Sequence, residues 1–221
     1  MKVNYHFHSG VSVEAGGSLF IFDYYKKGPD DSIFGNFEFV YVFASHGHRD
    51  HFDKKILEWN ELHDNVRYVF SYDIPVRAGT AAVVRPGESI RVGSVEVSAL
   101  KSTDEGVAFV VKTGEGKIFH SGDLNWWHWE GEPEDDNLRM AKDYKKEIDK
   151  LRRMHLDVAF IPVDGRLGES KYLSIDYLME NVPVGMVCPI HFWDDFAFLR
   201  QVEKDLSNRE YFNRINFYKE R

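Results

Sequence analysis

The sequence has a single cysteine, Cys188, among its 221 residues. One cysteine excludes an intrachain disulfide framework and any zinc site built from four cysteines. Long apolar runs are also missing, because no stretch approaches the roughly 18 apolar residues of a membrane span and the N-terminus lacks the apolar core of a signal peptide. We therefore expect a cytoplasmic protein that makes no use of a membrane.

An excess of positive charge is absent as well. The formal net charge is -8 at pH 7, and binding to a phosphate backbone depends on clustered Lys and Arg, so nucleic acid is disfavoured as a main partner. A small anionic substrate stays compatible, because a bound metal can dominate the local charge. With 43% hydrophobic residues, the chain can bury a full core but is too short for two large domains. We expect one domain over residues 1–221, and the sequence leaves its oligomeric state open.

Three histidines and an aspartate lie close together directly after an apolar run. The run from Phe37 to Ala44 predicts a buried strand, and the segment His46-x-His48-x-Asp50-His51 follows its carboxyl end. Residues two apart in extended backbone point to the same side, so His46 and His48 can bind one ion while Asp50 and His51 turn toward a second position. Imidazole and carboxylate at this spacing suit zinc or a neighbouring transition metal. The alternative is a histidine-rich surface loop.

Strand-like and helical patterns fill the rest of the chain. Short apolar or alternating runs between glycine-rich turns predict strands over residues 2–8, 11–15, 18–24, 66–71, 89–92, 95–101, 107–113, 117–120, 157–163, 184–190 and 215–218. Residues 26–35 are predicted to form a loop. Apolar residues spaced three or four apart predict a long helix over 134–154, with Leu138 on its buried face, and shorter helices that begin at Asp53, lie around 175–179 and carry residues 196–206.

The pattern His46-x-His48-x-Asp50-His51 resembles the H-x-H-x-D-H signature of the metallo-β-lactamase superfamily. The resemblance implies an α+β fold, a four-layer αββα sandwich with one or two metal ions at the ends of its two sheets. Helices that follow strands in both halves of the chain agree with such layers. The resemblance extends from about His8 to His191, and it points to the branch that includes ascorbate-6-phosphate lactonase and many uncharacterised bacterial hydrolases.

The resemblance also implies a set of metal ligands. One position takes His46 and His48, and the other takes Asp50, His51 and His191. Asp123, which follows a predicted strand in a small-residue-Gly-Asp turn, would lie between the two positions.

The sequence departs from the family at the third histidine of the first position, where Ser102 stands. A neutral hydroxyl is a poor zinc ligand, so this position is weakened unless Asp104 reaches in. A carboxylate there would shift the preference from zinc toward manganese or iron. The alternative role for Asp104 is to cap a turn.

Three tryptophans follow Asp123 closely. Trp126, Trp127 and Trp129 either pack against the sandwich or form the wall of a pocket that Trp193 completes. Consecutive residues point to opposite sides in an extended turn. We therefore expect one of the three to face the metals and the other two to be buried.

Two further residues are candidates for contact with a substrate. Family members similar to this chain often carry a histidine near the metals at the place of His8, although a solvated turn histidine is the alternative. Arg166 follows a turn in the opposite half of the chain and could bind an anionic group, or it could be simply solvated.

These features predict a hydrolase that uses a metal-activated water on a small ester, lactone or phosphodiester, anionic ones included. Asp50 can orient that water or shuttle its proton. His48 stands where di-iron oxygen-reducing relatives tend to carry a glutamate, which favours hydrolysis over redox chemistry. Two alternatives stay open. One is a metal-binding module with little or no catalytic activity, and the other is a nuclease of the same fold, against which the missing basic stripe argues.

Overall fold

Two mixed β-sheets of six strands each form the centre of the protein, in a computed structural model that describes residues 1–77 and 79–219. The first sheet takes its strands in chain order: β1 (Lys2–Phe7), β2 (Gly10–Ala15), β3 (Ser18–Phe22), β4 (Phe39–Ala44), β5 (Val66–Ser71) and β6 (Ala82–Val84). The first three strands pair antiparallel, and β3 to β6 pair parallel. As a result β1, β3 and β4 all end at the same edge.

The second sheet repeats this mixture of pairings. Its strands are β7 (Ser89–Val92), β8 (Val95–Lys101), β9 (Val107–Thr113), β10 (Gly116–His120), β11 (Leu156–Pro162) and β12 (Val184–Ile190). Strands β7 to β10 pair antiparallel, and β10 to β12 pair parallel. The carboxyl ends of β10, β11 and β12 therefore share one edge.

Alternate side chains of the central strands pack on opposite faces of each sheet. In β4, Tyr41 and Phe43 belong to the apolar cluster between the two sheets, whereas Val40 and Val42 belong to a cluster on the outer face. Strand β11 alternates in the same way. Burial on both faces explains why these strands appear in the sequence as continuous apolar runs.

Four α-helices of the described chain cover the outer faces: α1 (Trp59–Leu62), α2 (Glu134–Ile148), α3 (Leu173–Asn181) and α4 (Phe196–Asp205). Trp59 of α1 packs on the first sheet, and Tyr144, Ile175 and Val202 of the other three pack on the second. The layers run helix, sheet, sheet, helix. This order confirms the predicted αββα sandwich.

Several predictions of secondary structure are wrong in detail. Residues 26–35 are not all loop, because a 3₁₀ helix, Asp31–Asn36, begins after Asp30, whose side chain accepts a hydrogen bond from Ser32 N. Strand β6 has no counterpart in the sequence prediction, since it has only three residues. The predicted strand over 215–218 is a single bridge from Ile215 to Val187. Beyond it, Tyr218 turns its ring onto Phe192 instead of extending the sheet.

The long helix begins at residue 134 as predicted, but its end and its buried face differ from the prediction. It ends at Ile148, and a 3₁₀ turn, Asp149–Leu151, carries Leu151 into the core. Leu138 is 58% exposed and does not belong to the buried face. Asn137 points inward in its place, because its amide bonds the backbone N–H and C=O of Trp129.

The predicted helix start at Asp53 is confirmed. Its side chain accepts a hydrogen bond from Lys55 N and caps the 3₁₀ helix Lys54–Glu58, which leads into α1. Leu62 at the end of α1 is 66% exposed. In the part of the chain that the structure describes, no helix combines the length and the apolarity that crossing a bilayer demands.

Candidate metal centre

Loops that follow the carboxyl ends of strands from both sheets meet at one edge of the sandwich. The segment 45–51 follows β4, Asp123 follows β10, and His191 follows β12. Close approach is built into this edge, because a Cβ on Gly122 would lie 2.6 Å from Cβ of Ser45, and the backbone of Gly122 is left-handed at φ 52°. Glycine at this position lets the two sheets bring their loops together.

Two groups of buried side chains have potential ligand atoms within 4.8 Å of one another. One group is His46, His51 and Asp123, and the other is His8, His51 and His191. His51 belongs to both groups. It has one nitrogen to offer, since its Nδ1 donates to Asp23 Oδ2 at 2.8 Å. His51 can therefore serve only one ion.

The carboxylate of Asp123 lies between the two groups. Its Oδ1 is 3.3 Å from Nε2 of His51 and 3.4 Å from Nε2 of His191, while its Oδ2 is 3.6 Å from Nε2 of His46. One oxygen thus serves the His51 and His191 side, and the other serves the His46 side. The sequence predicted this middle position for Asp123.

Several atoms that face this space are buried without a hydrogen-bond partner. They include Nε2 of His46, Nε2 of His51, Oδ1 of Asp123 and both ring nitrogens of His8. Buried polar atoms normally have partners, and an unmade bond costs about 1–3 kcal/mol each. Nitrogen and carboxylate donors that converge in this way fit a divalent ion such as zinc.

A carboxylate that the sequence analysis missed positions one of these imidazoles. Asp23 is fully buried after β3, and it accepts hydrogen bonds from Ser45 N, Ser45 Oγ and His51 Nδ1. The bond to Nδ1 leaves the lone pair of His51 Nε2 free for a metal, which is how second partners orient metal-binding histidines.

Asp164, which follows β11, acts on His191 in the same manner. Its Oδ2 accepts a hydrogen bond from His191 Nδ1 at 3.0 Å. The Arg166 guanidinium also donates to both oxygens of Asp164, from Nε at 3.0 Å. Arg166 was expected either to bind a substrate anion or to be solvated, and its side chain is 64% exposed while it pairs with Asp164 at the cavity.

The charges of the buried groups follow from these contacts. Burial lowers the pKa of His46 to about 4 and that of His8 to about 4, so both imidazoles are neutral. Burial opposes the proton on His51 too, but the carboxylates of Asp123 and Asp23 outweigh it and raise its pKa to about 9. Burial likewise opposes ionisation of Asp23, yet the imidazoles of His120 and His51 lower its pKa to about 2.

The remaining predicted ligands lie around the two groups. His48 is exposed and its ring centroid is 4.7 Å from that of His46, but it belongs to neither group. Asp50 is half-buried, with Oδ2 3.4 Å from His8 Nε2, and this contact lowers its pKa. Ser102 is buried, and its hydroxyl accepts a hydrogen bond from Asp104 N.

Asp104 itself lies at the rim, where burial and the charge of Asp123 raise its pKa. The residue that caps this turn is Ser102, because its Oγ accepts the hydrogen bond from Asp104 N. The side chain of Asp104 lines the cavity beside His48. Its role as a metal ligand stays a prediction.

A cavity of 320 Å³ opens over the metal-ligand groups. Polar side chains line its floor and rim, among them His48, Asp50, Asp104, Asp123, Arg166 and His191. Trp127, Trp129 and Trp193 line its sides. The cavity is large enough for a small organic molecule, and it combines apolar walls with converging polar groups.

The tryptophans divide differently from the expectation of one facing the site and two buried. Trp127 and Trp129 stack with ring centroids 6.0 Å apart, and both line the cavity. Trp127 also donates from Nε1 to the backbone oxygen of Asp123. Trp126 packs instead against the helices on the outer face, with Lys145 over its ring. The alternation of Trp126 and Trp127 is as expected, but Trp129 returns to the cavity side.

This division predicts different effects for three alanine variants. Trp129→Ala should lower turnover with little change in melting temperature, because Trp129 is half-buried at the cavity. Trp127→Ala should lower both, with a stability cost of about 3–5 kcal/mol for a buried tryptophan. Trp126→Ala should lower the melting temperature and leave turnover per folded molecule unchanged. Melting curves and activity assays on the same preparations test this, and three variants that lose activity only in proportion to unfolding would remove the loop from the site.

Asp23 and Asp164 share a signal that could have revealed them. Asp23 comes directly after an apolar strand, and Asp164 follows one with a single residue between. In an αββα sandwich such positions fall at the edge where the metal loop lies. His120, another strand-end residue, is buried here without joining either group, and its Nε2 lies 3.0 Å from the oxygen of Ser9.

Comparison with known proteins agrees with this fold. The model of the beta-lactamase superfamily domain matches residues 2–132. No match was found among curated proteins. A metallo hydrolase from the hyperthermophilic archaeon Ignicoccus hospitalis, Igni18, has a similar structure with a TM-score of 0.65 at 14% identity, over 98% of this chain and 94% of that chain.

Two further solved structures share the fold. The metallo-beta-lactamase fold protein YhfI from Bacillus subtilis has a TM-score of 0.55 at 13% identity, over 84% of this chain and 79% of that one. CmlA, a diiron beta-hydroxylase from Streptomyces venezuelae, has a TM-score of 0.54 at 16% identity, over 85% of this chain and 44% of that one. At such identities these likenesses establish the fold alone.

The superfamily model matches more than half of the chain, and the chain therefore belongs to the beta-lactamase superfamily with the metallo-β-lactamase fold. This confirms the family predicted from the segment 46–51. The superfamily consists mostly of metal-dependent hydrolases, and the buried histidines and carboxylate are a candidate site for divalent metal.

Proposed function

We propose that this protein is a metal-dependent hydrolase that acts on a small ester, lactone or phosphodiester. One observation carries the proposal: unpartnered, buried Nε2 atoms of His46 and His51 converge with Oδ1 of Asp123 beneath an open cavity. A binding module for a small molecule would need the cavity but not these buried donors, whose isolation is costly unless an ion binds them.

The donor set supports two positions of unequal quality. The better one has His51 Nε2, His191 Nε2 and Asp123 Oδ1, with Asp50 nearby. The poorer one has His46 Nε2 and Asp123 Oδ2, with His48 at the cavity wall and Ser102 in place of a third histidine. We propose zinc as the ion, with manganese or iron as alternatives if Asp104 joins the poorer position.

When bound, divalent ions at these positions would supply a Lewis acid that activates water for attack on a carbonyl or phosphorus centre. The side chains of the chain itself divide the remaining tasks. Asp50 faces the cavity with a pKa held low by its contact with His8, so its carboxylate stays ionised and can orient the attacking water by accepting a hydrogen bond from it. Trp127 and Trp129 exclude bulk water and hold the apolar part of the substrate.

At the wall of the cavity, Arg166 pairs with Asp164. Paired in this way, Arg166 offers less attraction to an anion than a free guanidinium would. We retain a lactone as the first class to test, in line with the resemblance to the ascorbate-6-phosphate lactonase branch. A cytoplasmic location, a small-molecule partner and the exclusion of nucleic acid stay predictions from the sequence.

The second candidate function is a metal-binding module with little catalytic activity, which the serine at position 102 favours. Ser102→His separates the two candidates, since it restores the ligand pattern of the family. If the protein is a hydrolase that needs both metal positions, wild type should hold fewer than two equivalents of tightly bound zinc. The Ser102→His variant should hold close to two equivalents and should hydrolyse lactones and phosphodiesters faster.

The measurement is zinc content by native mass spectrometry, beside turnover of a lactone panel and a phosphodiester panel. Thr103→His, at the neighbouring position, is the matched control for adding an imidazole. If wild type already holds two zinc ions tightly and Asp104→Ala holds as many, the proposal that the two metal positions differ in quality is contradicted. Zinc-loaded protein without turnover on either panel, in wild type and in Ser102→His, would favour the binding module.

The raised pKa of His51 gives a prediction for pH. A group whose pKa is raised in the folded, metal-free protein to about 9 carries a proton near neutral pH, and this proton must leave before Nε2 can bind an ion. His46, with a pKa of about 4, has none to release. Zinc binding should therefore release about one proton, and the apparent affinity should rise about tenfold per pH unit until it levels off above the pKa.

Calorimetric titration with zinc in two buffers of different ionisation enthalpy measures the released proton. The same heat in both buffers at neutral pH would show that no proton is displaced. That result would contradict the raised pKa of His51 in the metal-free protein.

A further inference from the structure

We propose that His8 is itself a metal ligand, which makes the position formed by His51 and His191 a closed one. This inference rests on the metal site of the proposed function and adds a residue to it. His8 lies at the turn between β1 and β2, far along the chain from the segment 46–51. The sequence suggested at most a contact with substrate.

The first observation is that His8 is fully buried and its two ring nitrogens lack hydrogen-bond partners. Its nearest charged neighbour is Asp50, whose Oδ2 is 3.4 Å from Nε2, too far for a well-formed hydrogen bond. A ligand nitrogen of His8 lies within 4.8 Å of those of His51 and His191. A histidine that only packed in the core would bury two polar atoms without hydrogen bonds to compensate for their lost hydration.

The second observation is that the backbone holds His8 against His191. His8 N donates to the oxygen of Trp193, and His191 N donates to the oxygen of His8, both at 2.9 Å. His8, His191 and Trp193 all have left-handed backbone, with φ of 57°, 68° and 59°. Left-handed residues other than glycine persist where the surrounding structure fixes them, and they cluster at functional sites.

The third observation concerns access from solvent. The indole of Trp193 stacks on the imidazole of His8, with ring centroids 3.9 Å apart and planes within 22°. Trp193 thus covers His8 on the cavity side. A residue covered in this way is badly placed to touch a substrate but well placed to hold an ion beneath the cavity floor.

These contacts give the two metal positions different numbers of protein ligands. The position beside His8 has up to four protein donors, from His8, His51, Asp123 and His191, while the carboxylate of Asp50 faces the cavity. The position beside His46 keeps fewer protein donors because of Ser102. Closed positions hold an ion for structure, whereas open positions leave room for water and substrate. We infer that the ion beside His8 is held tightly and that chemistry takes place at the side of His46 and His48.

The test is zinc affinity of His8→Asn, measured by competition with a chromophoric chelator. Asparagine tolerates left-handed backbone but withdraws the imidazole. Loss of a direct ligand should weaken binding by more than the roughly 10–100-fold that follows loss of a residue which merely orients a ligand. His155→Ala is the matched control, since its side chain is 64% exposed and outside both groups. Melting curves show whether each variant is folded, and His8→Gly replaces His8→Asn if the latter is not.

His8 could instead act only through Asp50, and a double-mutant cycle distinguishes this. If His8 binds the ion, His8→Asn should weaken affinity in an Asp50→Ala background as well, and X-ray absorption of the zinc protein should count one imidazole fewer. If it acts through Asp50, the second substitution should have no effect, because the two changes break one interaction. An unchanged imidazole count in His8→Asn would overturn the proposal.

The same experiment with His51→Ala separates this inference from the proposed function. If His51→Ala releases zinc while His8→Asn binds it as wild type does, His8 is not a ligand and the metal-dependent hydrolase stands. If His51→Ala also binds zinc as wild type does, the metal site of the proposed function fails, and the inference about His8 fails with it.

Discussion

His51→Ala and His191→Ala should each remove most of the bound metal from the purified protein. Each change deletes an imidazole whose Nε2 lies within 3.4 Å of Oδ1 of Asp123. Native mass spectrometry after dialysis against zinc measures the retained ion directly.

His155→Ala is the control for this experiment, because it removes an exposed imidazole that belongs to neither group. Its metal content should equal that of wild type. Circular dichroism must show that the two site variants are still folded. If His51→Ala and His191→Ala are folded and their metal content is unchanged, the assignment of this metal site is wrong.

Asp23→Asn should weaken zinc binding by about 10–100-fold, the range seen when the partner of a metal-binding histidine is lost. In wild type, the carboxylate accepts from Ser45 N, Ser45 Oγ and His51 Nδ1. An amide of the same shape has one acceptor oxygen, so its NH₂ group must face either Ser45 N–H or the Nδ1 of His51. The second arrangement forces the proton of His51 onto Nε2, where the ion binds.

The same substitution should also destabilise the metal-free protein. A buried donor left without its acceptor costs about 1–3 kcal/mol, and the loss of negative charge removes one of the causes that raise the pKa of His51. Zinc affinity and the free energy of unfolding test the two effects separately. Asp157→Asn is the matched control, because that carboxylate accepts one hydrogen bond from Lys117 N, which an amide oxygen can also accept. Equal zinc affinity in Asp23→Asn and wild type would contradict the orienting role.

The layers of the fold could be predicted because the central strands are buried on both faces. Residues 158–162 and 184–190 form apolar runs without a charged residue, and they lie in adjacent strands of the second sheet. The burial predicted from apolar spacing was wrong where hydrogen bonds of a side chain decide which residue points inward. Leu138 is apolar at the right spacing, yet the inward place in the first turn of α2 goes to Asn137, which satisfies the backbone of Trp129.

The centre of the site could be predicted because its residues are close in sequence. The segment 46–51 carries spacing that a metal requires, and the resemblance built on it added Asp123 and His191. Asp23 and Asp164 could not be found in this way, since they are 28 and 27 residues from the histidines that they orient. Nothing local marks such a pairing. It arises only when β3 lies beside β4 and β11 lies beside β12.

The most direct measurement is X-ray diffraction from zinc-grown crystals, with anomalous data on both sides of the zinc absorption edge. A peak that appears above the edge between Nε2 of His51, Nε2 of His191 and Oδ1 of Asp123 is the predicted result. A weaker peak between His46 and the other oxygen of Asp123 would agree with the poorer second position. Zinc-saturated crystals without an anomalous peak at His51 and His191 would contradict the proposal that this protein is a metal-dependent hydrolase.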